Sequence, residues 1–183
     1  MIIDMHMHEM RYSGDSFLRL ENMVEIAKRR GLDGICITDH DSMGLKEFAA
    51  EYSEKTEFPI FVGIEFYSLQ GDIVAFGIED YPKERIPAQE FVDLVQAQGG
   101  MCFSAHPFRN NNRGLEENLA LVRGLDGVEV LNGSTSFAAS IATPTANGLT
   151  VEPKTPDPAP SNTIAEDTIV SRPDATIAAA RSA

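Results

Sequence analysis

Five short β-rich runs alternate with helical patterns over residues 1–133, and such alternation implies βα units that feed a parallel sheet. The strand candidates are residues 2–8, 34–40, 60–66, 101–107 and 127–131. Between the first two, residues 17–30 put Leu18, Leu20, Met23, Val24 and Ala27 on one helical face, with Ser16 placed to cap its start and Gly31 to end it. Weaker helical patterns cover 45–55, 88–98 and 115–123, and Pro87 stands where a proline commonly opens a helix. Residues 67–80, YSLQGDIVAFGIED, place Gly71 and Asp72 between apolar runs, which predicts a β-hairpin inserted after the third strand.

The chain has four histidines, and all of them fall at the ends of these strand candidates: His6, His8, His40 and His106. In a strand, residues i and i+2 share a face, so Asp4, His6 and His8 of DMHMH point one way while Met5 and Met7 point the other. His40 closes the second strand in ITDHDS, Glu65 lies near the end of the third in VGIEF, and His106 closes the fourth in SAHP. In a parallel barrel these positions meet at the C-terminal rim, where such folds keep their active sites. Imidazole nitrogens with a carboxylate suit zinc, manganese or iron, and a carboxylate can bridge two ions, a role that falls to Glu65. A lone histidine at a strand end is most often a satisfied polar residue; four in register are what point to a metal site. Ser104 lacks the GxSxG setting of a hydrolase nucleophile, so covalent catalysis is set aside.

Composition narrows the class. A chain of 183 residues can bury a core without disulfide or metal staples, and no apolar run approaches the ~18 residues of a membrane span. The first residues, MIIDMHMHEM, lack the basic and apolar regions of a secretory leader. Cys36 and Cys102 sit in apolar runs, which reads as free, buried thiols in a reducing cytoplasm. A formal charge of −13 argues against an extended nucleic-acid surface, although acids gathered around metal ions still leave a site open to an anionic substrate.

The order HMH, GLDGICITDHDS, GIEF, SAHPF and GVEVLN resembles the PHP (polymerase and histidinol phosphatase) family of metal-dependent phosphoesterases, over about residues 2–133. The resemblance implies a distorted (β/α)7 barrel with two or three divalent transition metals (zinc, manganese or iron) at its rim, acting on small phosphorylated substrates. By motif match, His6, His8, His40, Glu65 and His106 are metal ligands, and Asp15 in YSGDS approximates a further one. Asp39 would act behind the ligands in the reaction; its other reading is an N-terminal helix cap after the strand. Arg109 and Arg113 in HPFRNNNRG read either as a phosphate clamp, with Arg109 neutralising nonbridging oxygens, or as a solvated basic loop. Asn132 reads as a hydrogen-bonding residue toward substrate, beside Glu129 on the fifth strand.

The resemblance breaks downstream. The family takes its last ligands from a late strand ending in an SDxH-type motif, and no histidine follows His106 here. Residues 134–183 change character: 31 of these 50 are Ala, Ser, Thr or Pro, and the stretch reads as linker with a short helix at 175–181. About five of seven βα units are therefore recognisable, and the barrel is incomplete as read. An open sheet edge needs a cover, from this tail or from a partner copy. The tail carries Asp157, Asp167 and Asp174 as substitute ligands, or the chain is truncated or replaced after about residue 133. Two other classes stay open: a noncatalytic metal-binding or regulatory module lacking its last ligands, and an amidohydrolase-type enzyme, which shares HxH but not TDHDS.

Overall fold

The computed structural model describes residues 1–109 and 112–133, together with the backbone of Ile169–Ser171. The expected tail helix at 175–181 and the three tail aspartates lie outside the described residues. The elements in chain order are β1 (Ile3–Met7), α1 (Leu20–Arg30), β2 (Gly34–Ile37), α2 (Lys46–Thr56), β3 (Ile60–Val62), β4 (Ile64–Tyr67), β5 (Asp72–Phe76), α3 (Ala88–Ala97), β6 (Met101–Ser104), a 3-10 turn (Glu116–Ala120), β7 (Gly127–Glu129) and β8 (Ile169–Ser171).

The strands form a mixed α/β fold with one parallel sheet, β1-β2-β3, and one mixed sheet, β4-β5-β6-β7-β8. This corrects the expectation of one run of parallel βα units. The third β-rich run is broken at Gly63, whose N–H bonds the carbonyl of Ile37 at 2.9 Å. A Cβ there would collide with the carbonyl oxygen of Ala75, so the sheets separate where only glycine fits. The hairpin exists, but β4 is its first arm, so it begins in the third strand instead of following it, and β5 lies inside the sheet between β4 and β6.

Strand direction explains why the ligand candidates still meet. β1, β2 and β3 run parallel, and a parallel bridge between His40 and Glu65 carries that direction into β4. β5 is antiparallel to both β4 and β6, so those two point the same way, and β7 is parallel to β6. The C-terminal ends of β1, β2, β4, β6 and β7 therefore share one side. β5, being reversed, starts there with Asp72. The edge of β7 is paired by β8, antiparallel, with Glu129 opposite Ile169.

Each helix packs its apolar face on the sheet beside it. Leu20, Met23, Val24 and Ala27 of α1 join Ile35 and Ile37 of β2 in one core cluster, each fully buried large side chain contributing about 1.5–3 kcal/mol relative to exposure. Phe91, Val92 and Val95 of α3 cover the second sheet, with Phe91 stacked on Phe66 at 4.1 Å between ring centroids. α1 starts at Leu20 and not at Phe17: Ser16 donates its hydroxyl to the carbonyl of His8 at 2.6 Å and accepts the N–H of Leu18 at 3.3 Å, but the backbone stays non-helical through Arg19. The buried carboxylate of Glu9 accepts from the N–H of Leu20 at 3.3 Å instead. Gly31 ends α1 in the left-handed region, as expected. The weak pattern at 115–123 is only a 3-10 turn.

Candidate metal centre

One carboxylate stands at the middle of the four histidines. Glu65 Oε1 lies 2.7 Å from His106 Nε2 and 3.3 Å from His6 Nε2, while Oε2 lies 2.7 Å from His40 Nδ1 and 3.3 Å from His8 Nε2. His6 and His8 share a face as strand parity requires, with their Nε2 atoms 3.2 Å apart. Three overlapping groups, His6–His8–Glu65, His8–Asp15–His40 and Glu65–Asp72–His106, each bring their ligating atoms within 4.8 Å of one another. All six ligands anticipated from the sequence are in these groups, and Asp72 is an addition.

The donor set fits a cation. Among the described residues, Glu65 Oε2, Asp72 Oδ1 and His106 Nδ1 are buried side-chain atoms without a hydrogen bond. The 2.7 Å approach of His40 Nδ1 to Glu65 Oε2 brings the atoms close without that bond's alignment. Crowded acceptor atoms with little water need a shared positive charge, either protons or metal ions. The electrostatics follow that rule. Burial works against charge on His6, but Glu65 and Glu129 outweigh it and hold its pKa well above 6.5. Burial likewise opposes charge on His40, yet Glu65 and Asp15 lift it to about 9. His8, where burial wins with help from its cationic neighbours, falls to about 4. Burial alone would raise Glu65, but the surrounding imidazoles hold it well below its ordinary value. Burial, with the nearby Glu65 charge, pushes Asp72 up to about 6.

Supporting residues hold these side chains. Glu129 Oε1 is 3.0 Å from His6 Nδ1, and its Oε2 accepts the N–H of His106 at 2.5 Å. His106 has φ of +26°, an uncommon conformation for a non-glycine residue. Glu129 and the N–H of Arg109, which bonds the carbonyl of His106 at 2.9 Å, hold it there. Asp39 is buried and accepts from the N–H of Glu9 at 2.6 Å and from Ser13 Oγ at 3.0 Å. It caps no helix, since α2 begins only at Lys46. Burial raises Asp39 to about 6.

The substrate-side candidates divide. Arg109 and Asn132 line a cavity of about 290 Å³ together with His6, His8, His40 and His106. Asn132 Nδ2 also donates to Glu129 at 3.0 Å. Arg113 is engaged: Nε donates to Asp72 Oδ2 at 2.7 Å, Nη2 lies 3.2 Å from His40 Nδ1, and the guanidinium sits 4.0 Å over the Tyr67 ring. It serves the ligands, so the solvated-loop reading does not describe it.

Asp72, Ser13 and Glu9 had no role in the sequence reading, and Glu129 was placed on its strand without one. The available signal was burial chemistry: an acid opening DIVAF or inside GVEVL is almost never buried unless paired. Asp72 reads as a turn residue because the hairpin pattern marks the reversal but not that the first residue of the returning strand faces His106.

The comparisons agree with this geometry. The PHP domain profile matches residues 4–155. An uncharacterized protein of Methanocaldococcus jannaschii is 28% identical over 140 residues, covering 70% of this chain and 80% of that one. Two solved structures share the fold. One, from Bifidobacterium adolescentis and named "putative metal-dependent phosphoesterase", is 19% identical with a TM-score of 0.60, covering 70% of this chain and 76% of that one. The other, an amidohydrolase from Chromobacterium violaceum with bound sulfate and no metal, is 20% identical with a TM-score of 0.61, covering 76% and 80%. With the profile spanning most of its length, the chain belongs to the PHP domain family.

Proposed function

We propose that this member of a family of metal-dependent hydrolases is a phosphoesterase acting on small phosphomonoesters or on nucleotide and oligonucleotide phosphoesters. The observation that carries the reading is the convergence of four imidazoles on the single carboxylate of Glu65. On this reading the two sheets are walls of a distorted (β/α)7 barrel. His6, His8, Asp15, His40, Glu65 and His106 would hold two or three divalent ions of zinc, manganese or iron, with Asp72 as a further donor. Such ions, when bound, supply Lewis acidity toward a phosphoryl oxygen and acidify water. Arg109, in the cavity wall, would meet the nonbridging oxygens and stabilise charge that grows in the transition state. Asn132 would add a hydrogen bond.

The cavity of about 290 Å³ suits a small substrate. No helix among the described residues is long and apolar enough to cross a membrane. Two free cysteines, both buried and pushed up to about 12 chiefly by burial, support a reducing cytoplasmic setting.

Elemental analysis of the protein purified without chelator, followed by turnover of phosphomonoester and phosphodiester substrates with added Mn²⁺, tests the reading. Metal with turnover is expected, and Arg109→Ala is expected to raise KM or lower kcat at unchanged metal content. Metal without turnover of any phosphoester would leave the noncatalytic module, a reading favoured by the lack of a histidine beyond His106. Hydrolysis of an amide substrate alone would favour the amidohydrolase type.

A further inference from the structure

Ser13 is 1% exposed and its hydroxyl stands among three polar groups. Oγ lies 3.0 Å from Asp39 Oδ1, 3.0 Å from the backbone N of His40 and 3.2 Å from His8 Nδ1. A serine hydroxyl has one proton to donate and two lone pairs to accept with. The N–H of His40 can only donate, so it takes one lone pair. Asp39 Oδ1 already accepts the N–H of Glu9 at 2.6 Å, which marks it as an acceptor whatever the state of the other carboxylate oxygen. The hydroxyl proton therefore goes to Asp39. One lone pair on Ser13 is left for His8, and only an Nδ1–H can use it.

We infer that Asp39, acting through Ser13, fixes the neutral His8 ring as the Nδ1–H tautomer and so presents a bare Nε2 to the ligand cluster. Free imidazole side chains in water prefer the opposite tautomer, so the protein has to impose this one. The arrangement matches His6, whose Nδ1 is held by Glu129 at 3.0 Å and whose Nε2 likewise faces Glu65. The two partners differ in kind: His6 meets a carboxylate directly, whereas His8 meets one through a hydroxyl. Ser13 and Asp39 are thus positioning residues for a ligand, and the same hydroxyl ties the backbone of His40 into register. The inference deepens the metal-site reading and rests on it for its consequence, but the tautomer itself is a property of the metal-free protein.

The test is heteronuclear NMR of the histidine side chains in the metal-free protein at pH 8, joined to competition titration with Mn²⁺. His8 is expected as Nδ1–H in the wild type. Ser13→Ala is expected to turn His8 toward Nε2–H, to leave His6 as it was, and to weaken Mn²⁺ binding about 10–100-fold, the usual cost of removing a ligand's orienting partner. A purely structural role would not single out the protonation site of one ring. Finding Nε2–H on His8 in the wild type overturns the inference with no variant needed. So does a Ser13→Ala protein with an unchanged tautomer, or one with unchanged affinity. Should the wild type take up no metal, the functional reading fails, while the tautomer still decides this one.

Discussion

The ligand cluster has a buried half and an exposed half, built on different terms. His6, Glu65, Asp72 and His106 are all buried, and each is on a strand or within two residues of one. Each is also gripped: His6 and the backbone of His106 by Glu129, Asp72 by Arg113, Glu65 by the rings around it. His40 and Asp15 face solvent on the other side, joined to each other at 3.1 Å, and Asp15 comes from the loop between β1 and α1. His8 belongs to both halves. A strand end sets where a side chain starts, whereas packing and fixed partners set where its ligating atom ends up. On the proposed reading the inner half would hold a cation tightly and the outer half would exchange it.

Glu65→Gln should break the comparison most strongly. Oε1 faces the inner rings His6 and His106, whereas Oε2 faces His8 and His40. Glutamine keeps the shape and one acceptor oxygen but replaces the other with an NH₂ donor, which cannot ligate. One ion should remain, weakened, while the second is lost on the order of 100-fold or more, since imidazoles are left facing a donor with no compensating charge. Calorimetric titration with Mn²⁺ should change from two steps to one. Equal loss at both positions would remove the bridging role from Glu65.

The two halves also differ in how far they could be read from sequence. Parity in DMHMH and the strand-end positions of His40, Glu65 and His106 were enough to assemble the ligands, because side-chain alternation and strand polarity are local rules. The grip on them was not legible. Glu129 reaches His6 across 123 residues, and Asp72 comes to the cluster only because β5 pairs back on β4 right after the Ser68–Gly71 turn. Ser16 fits a cap by its spacing and accepts the N–H of Leu18, but the chain stays non-helical through Arg19 and Glu9, just past β1, accepts the N–H of Leu20, so α1 starts three residues later than the pattern implies. Arg113 reads from sequence as a phosphate clamp or a solvated loop, because sequence does not show that Asp72 needs a buried partner.

pH should sharpen the contrast. In the metal-free protein His6, held well above 6.5, and His40, near 9, both carry protons at pH 7, while His8, near 4, does not. Binding a cation through those nitrogens must expel their protons, so affinity rises with pH. Each displaced proton contributes about tenfold per pH unit. The outer ion should therefore bind more tightly up to about pH 9 and then level off as His40 becomes neutral, with His8 adding no slope. The inner ion competes with the proton on His6, which two buried carboxylates hold, so its affinity also rises with pH. Competition titrations across this range that show no slope for either ion would contradict proton displacement from these rings.

The smallest effect is expected from Asp15→Asn. Asp15 is 59% exposed on its side chain, and its one contact with the cluster is His40 Nε2 at 3.1 Å. Burial works against its charge, but His40, with a smaller contribution from His8, outweighs it and lowers the Asp15 pKa, which shows the pair attract one another. Water competes for an exposed pair of this kind and salt screens it, so its loss matters far less than that of a buried partner. Asparagine also retains an oxygen able to ligate. The variant should weaken the outer ion within about tenfold, with more of that loss at low salt, and leave the inner ion untouched, because no donor of the His6–Glu65–His106 side contacts Asp15. Loss of the inner ion in the same titration would mean that the two halves are mechanically one unit, held together through His8, and that exposure is a poor guide to which position is exchangeable.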